Sequence, residues 1–84
     1  MQLAIDFVKD LFRDQLQMGE RADQLDADSV ILGAIPEFDS MSVVNVITAI
    51  EEKLGVEVDD EEITGELFAT VGTLAAFIAA KMAL

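Results

Sequence analysis

The chain has 84 residues, 17 of them acidic and 5 basic, and it has no histidine, cysteine, tyrosine or tryptophan. A single domain over residues 1–84 is all this length allows, and it buries only about 60–65% of the surface that the unfolded chain would expose. The missing side chains exclude disulfides, zinc chemistry and histidine-based catalysis, and would leave any metal to oxygen ligands, as magnesium or calcium prefers.

The apolar content of 52% separates the chain from disordered acidic tails and points to a packed core inside a negative shell. Between Asp26 and Glu66 stand 12 acids and a single base, Lys53. A field of this sign repels nucleic acid and anionic lipid and attracts proteins with basic patches, although the same acids also serve solubility. Met1 to Asp6 carry no basic run before an apolar stretch, so no secretory signal is expected and a cytoplasmic protein is.

Ile5, Val8, Phe12 and Leu16 recur at intervals of three and four, with Ala4 and Leu11 beside them, which predicts a first helix over residues 2–18 stopped at Gly19. Residues 19–39 then form a long connection. Its apolar residues Leu25, Val30, Ile31, Leu32, Ile35 and Phe38 suggest that it is tied down across the bundle.

A second helix begins at Asp39 or Ser40 and runs through Val43, Ile47, Ile50 and Leu54, with Met41, Val44 and Val46 widening its apolar face. Lys53 and Gly55 supply a cation and a cap at its end. Asp59 followed by Glu62 resembles a capping box and predicts a short helix of about two turns. The last helix starts near Thr70, with Val71, Leu74, Ala75, Ile78, Ala79 and Met82 inward. At about 15 residues it falls short of the ~20 that a bilayer crossing needs. No strand pattern competes, since Val56-Glu57-Val58 is too short to build a sheet. The expected fold is all-α: a small four-helix bundle of three main helices and one short one, with a long first loop.

Serine catalysis by this chain alone has no support, because Ser29, Ser40 and Ser42 fit neither Gly-x-Ser-x-Gly nor Ser-x-x-Lys. The chain is accordingly not expected to be an enzyme. Asp26, Asp28 and Glu37 fall on the first, third and twelfth places of an EF-hand frame, but Val30 and Ile31 stand where an oxygen ligand and glycine are required. No metal site is expected. Asp39-Ser40 reads as a helix N-cap pair, and a serine in that place would need an outside agent to react.

Leu32-Gly33, Phe38-Asp39-Ser40-Met41-Ser42-Val43-Val44, Ile50-Glu51-Glu52-Lys53-Leu54-Gly55-Val56, Asp60-Glu61-Glu62 and Thr70-Val71-Gly72-Thr73-Leu74 together resemble the acyl carrier proteins, over about residues 25–80. The resemblance implies that a phosphopantetheinyl transferase attaches 4′-phosphopantetheine, taken from coenzyme A, to Ser40, with Asp39 capping the helix or positioning the transferase. It also implies acyl cargo held as a thioester on the added thiol and presented to biosynthetic enzymes of fatty-acid, lipid or polyketide type. Partners would be acyl-activating, ketosynthase or acyltransferase enzymes with basic docking patches. They would meet Glu37, Met41, Val44, Glu51, Glu52, Asp60 and Glu61 on a monomer that inserts in no membrane and binds no nucleic acid.

Val44, Ile47, Ile63, Phe68 and Leu74 would line an internal acyl pocket by the same resemblance, and plain core is the other reading of each. Fatty-acid carriers often have acids shortly after the serine, where this chain has Ser42 and Asn45. That departure, with the slightly longer Glu66-Leu67-Phe68-Ala69 region, favours a specialised, stand-alone carrier. An aminoacyl or peptidyl carrier, or an unmodified acidic interaction module, would be the alternatives.

Overall fold

The computed structural model describes residues 2–31, 33–35 and 38–82. Among them are three α-helices, α1 (Gln2–Gln15), α2 (Ser40–Leu54) and α3 (Val71–Met82), and two 3₁₀ helices, Gly19–Gln24 and Asp60–Glu62. The all-α expectation holds. No helix of the described residues is long and apolar enough to cross a membrane.

α1 is shorter than its apolar periodicity suggests. The last helical bond runs from Leu16 N–H to the Phe12 carbonyl, and Gln17 then takes a left-handed backbone conformation at φ 53°, which breaks the helical path before Gly19. Its buried face is Ala4, Val8, Leu11 and Phe12. Ile5, expected among the innermost residues, is only half-buried. Arg13 on the outer side bonds both Asp10 and Asp23, and so joins α1 to the first 3₁₀ helix.

That 3₁₀ helix, Gly-Glu-Arg-Ala-Asp-Gln, sits where the sequence predicts an irregular connection. Only Ala22 within it turns fully inward, so no apolar repeat announces it. The rest of the long connection is held in two ways. Ile31, Ile35 and Phe38 enter the core, and the Phe38 ring lies 6.1 Å from Phe12 and 5.1 Å from Phe68 between centroids, bridging α1 to the segment before α3. Val30, expected to anchor the loop by burial, is instead exposed, and Leu25 is half-buried. Leu32 lies outside the described residues.

The second hold is backbone pairing. Gly72 N–H donates to the Ala27 carbonyl at 2.8 Å, Val71 N–H to Ser29 at 2.9 Å, and Ile31 N–H to Ala69 at 3.1 Å, around an antiparallel bridge between Val30 and Thr70. A Cβ at Gly72 would stand 2.8 Å from the Ala27 oxygen, so this close approach needs glycine. One bridge is not a strand, and the prediction of no sheet stands for the described residues.

α2 follows its predicted bounds. Asp39 caps its start, and Gly55, left-handed at φ 66°, ends it with its N–H on the Glu51 carbonyl at 2.8 Å. Its inner stripe is Val46, Ile47, Ala49 and Ile50, whereas Met41 and Val44 face solvent. The predicted capping box between Asp59 and Glu62 is present, with Glu62 accepting from Asp59 N–H at 3.0 Å, but the helix it opens is a single 3₁₀ turn rather than two α-turns. Extended Ile63, and turns through Gly65 to Phe68, take the chain away from helix there.

α3 starts with a reciprocal pair of threonines. Thr73 N–H donates to Thr70 Oγ1 and Thr70 N–H to Thr73 Oγ1, each at 3.1 Å, while the Thr73 hydroxyl donates to the Leu67 carbonyl. Val71, Leu74, Ala75 and Ile78 are buried, while Ala79 is half-buried and Met82 exposed, contrary to their predicted inward places. α1 packs against both α2 and α3, and one core joins all three.

Candidate functional site

Of the serines at 29, 40 and 42, Ser40 is the exposed one, while Ser29 is half-buried and Ser42 buried. Ser40 is the first residue of α2, so its hydroxyl stands at the positive end of the helix dipole, near backbone N–H groups that have no intrahelical acceptor. The sequence builds this position locally. Asp39 is extended at φ −117°, ψ −172°, its side chain folds back over the first turn, and the apolar stripe that begins at Val43 pulls the helix onto the core.

The Asp39 carboxylate is well occupied. Oδ1 accepts from Ser42 N–H at 2.9 Å and from the Ser42 hydroxyl at 3.0 Å. These bonds favour the ionised form and hold the Asp39 carboxyl below its usual range. Ser42 was not among the residues singled out from the sequence as functional. The Asp-x-x-Ser spacing of an N-cap and its third helical residue was the signal that could have found it.

Around Ser40 the surface is apolar at the helix start and acidic further away. Met41 is 67% exposed and Val44 58%, one turn apart on α2. Val44 is therefore on the outer surface and not among residues facing the interior, where the sequence reading had also placed it. Of the other candidate lining residues, Ile47, Phe68 and Leu74 are buried and Ile63 half-buried, all within one apolar cluster.

The acids divide by role. Glu52, Asp60 and Glu61 are exposed. Glu51 is half-buried and its Oε2 accepts from Val58 N–H at 2.9 Å, so it closes the turn after α2. Glu37 lies outside the described residues. No cluster of acids among the described residues could hold a metal ion.

A bundle of three short helices that offers an exposed serine at a helix start is the build of a small carrier domain. The family model described as a phosphopantetheine attachment site matches residues 6–78. The chain thus belongs to the phosphopantetheine attachment-site family, and its prosthetic group is covalently bound 4′-phosphopantetheine. Among solved structures, the chain is similar to a holo acyl carrier protein from Nitrosomonas europaea determined by solution NMR, with 49% identity, full coverage of both chains and a TM-score of 0.89. No curated protein matches the chain.

The residues present fit such a group. A phosphodiester needs an accessible hydroxyl to join and a setting that tolerates negative charge, and the exposed Ser40 at a helix N-terminus offers both. The first turn of α2 itself holds no acidic residue, and the one carboxylate beside Ser40, that of Asp39, is engaged by the Ser42 N–H and hydroxyl.

Proposed function

We propose that the chain is an acyl carrier protein whose phosphopantetheine is attached at Ser40. The observation that carries this reading is the exposure of Ser40 at the first position of α2, in a chain whose other two serines are half-buried or buried. When bound, the group supplies a thiol that holds acyl groups as thioesters. The chain's own residues orient and present it: Asp39 caps and fixes the helix start, and the dipole of α2 favours the anionic phosphodiester.

The partners are a phosphopantetheinyl transferase and acyl-activating, ketosynthase or acyltransferase enzymes with basic patches, in the cytoplasm, met by a monomeric carrier. Their docking face is the α2 surface on which Met41 and Val44 offer exposed apolar contacts and Glu52, with Asp60 and Glu61 beyond it, offers charge. Glu51 contributes less than its neighbour, since its carboxylate is bonded to the Val58 N–H. Ile47, Phe68 and Leu74, with half-buried Ile63, are the residues that would part to admit an acyl chain.

The test is intact mass after incubation with coenzyme A, magnesium and a broad-specificity phosphopantetheinyl transferase, beside a Ser40→Ala control. Addition of one phosphopantetheine to the native chain and none to the variant is the expected result. Addition to both would move the attachment point away from Ser40, and addition to neither, with several transferases, would refute the carrier reading.

A further inference from the structure

Ser42 is the one buried polar residue of the described chain, and two of its donors, backbone N–H and hydroxyl, meet the same oxygen, Asp39 Oδ1, at 2.9 and 3.0 Å. A helix cap requires only the first of these bonds. The second comes from the hydroxyl of a buried side chain, and it restricts the rotamers an exposed aspartate would otherwise sample. The consequence falls on the residue next door. Asp39 stays exposed, so its charge is displayed at a fixed place and direction beside the Ser40 hydroxyl.

We propose that Ser42 is a positioning residue for prosthetic-group transfer, holding the Asp39 carboxylate in the orientation that a docked transferase engages. The proposal rests on the reading of Ser40 as the attachment serine. In the transfer, Ser40 Oγ bonds to the coenzyme A phosphorus that bears the pantetheine, and the bond from that phosphorus to the bridging oxygen breaks. The leaving 3′,5′-adenosine bisphosphate takes the electron pair, and the seryl proton is released. Asp39 takes no part in this exchange of bonds. Its aligned charge acts when the basic surface of the transferase arrives, so misalignment weakens association rather than chemistry.

The experiment compares wild type, Ser42→Ala and Ser42→Thr in steady-state modification by one transferase, alongside a carbon-13 NMR titration of the Asp39 carboxyl in the unmodified chain. Ser42→Ala is expected to raise KM for the carrier about 3- to 10-fold with kcat near wild type, as losing one hydrogen bond to a charged group allows. Its Asp39 carboxyl should titrate closer to the ordinary value, and Ser42→Thr should restore both readings. Ser42→Cys, of similar size but a weak donor, replaces Ser42→Ala should that chain lose α2 by amide spectra. An unchanged KM, or a raised KM with the Asp39 titration unmoved, overturns the proposal while leaving the attachment reading intact. A wild-type chain that accepts no group overturns the attachment reading, and this one with it.

Discussion

Lys81 Nζ lies 3.1 Å from Glu62 Oε1 and 3.2 Å from Oε2, fastening the last turn of α3 to the second 3₁₀ helix. The same carboxylate accepts from Asp59 N–H, so one side chain caps that turn and anchors the end of α3. The ammonium also stands 5.3 Å from the centre of the Phe77 ring.

This contact gives the chain an acid-sensitive component of stability. Lys81, followed by the Asp59 N–H, holds the Glu62 carboxyl below its ordinary value. A carboxyl depressed in the folded state contributes stability above its unfolded pKa and loses it as pH falls through the folded value. Lys81→Met should therefore lower Tm at pH 7, and the gap from wild type should narrow once pH drops below about 4. Taking the difference between the two chains removes the general gain from protonating other acids. A gap that persists undiminished at pH 3 would contradict the assignment.

Gly72→Ala should destabilise the fold by about 1–3 kcal/mol, as overpacking does. The added methyl would stand 2.8 Å from the Ala27 oxygen, and that oxygen accepts the Gly72 N–H, so relief comes only by opening the loop pairing. Chemical denaturation measures it. A variant as stable as wild type would mean that the loop moves without cost.

Phe38→Ala should cost about 3–5 kcal/mol, a large share of the roughly 5–15 kcal/mol that folds of this kind possess. The ring bridges Phe12 and Phe68, so its loss frees the long connection from both α1 and the segment ahead of α3. Hydrogen exchange of the amides of residues 33–35 should rise further than that of α1.

Glu51 and Glu52, adjacent in sequence, should respond differently. Glu51→Ala removes the acceptor of the Val58 N–H and should cost about 1 kcal/mol, whereas Glu52→Ala on the exposed face should stay within about 0.5 kcal/mol. Equal losses in thermal melts would deny Glu51 its place in the turn.

Moderate salt should raise Tm. The net charge of −12 repels itself in a domain this small, and a screening length of about 10 Å at 0.1 M salt is shorter than the distance across the molecule. A Tm indifferent to added sodium chloride would show that the acids are spaced too widely to matter.

The bounds of α2 were legible in the sequence because each end is set by chemistry local to it: Asp39 bonding Ser42 within one turn, and Gly55 adopting the left-handed conformation that other residues resist. The serine at its start was legible for the same reason. The end of α1 was not, since nothing in Leu16-Gln17-Met18 forbids helix. The chain leaves it because Met18 and Ala22 reach the core by another path. The two-turn helix after Asp59 was overestimated because a capping signal says where a helix starts and not whether packing extends it.

By itself the sequence determined the helical class, the negative shell and a serine at a helix start without a neighbouring base, all of which depend on residue type and short-range spacing. Tertiary structure decided which apolar residues face outward. Val30, Val44 and Met41 are as apolar as their buried neighbours, and their exposure follows from how α2 and the long connection lie against the rest of the core. It also decided which acids are engaged, because Glu51 and Glu62 find Val58 and Lys81 only once the chain has folded back on itself. Contacts between residues distant in sequence depend on the relative placement of whole elements, and no local propensity encodes that placement.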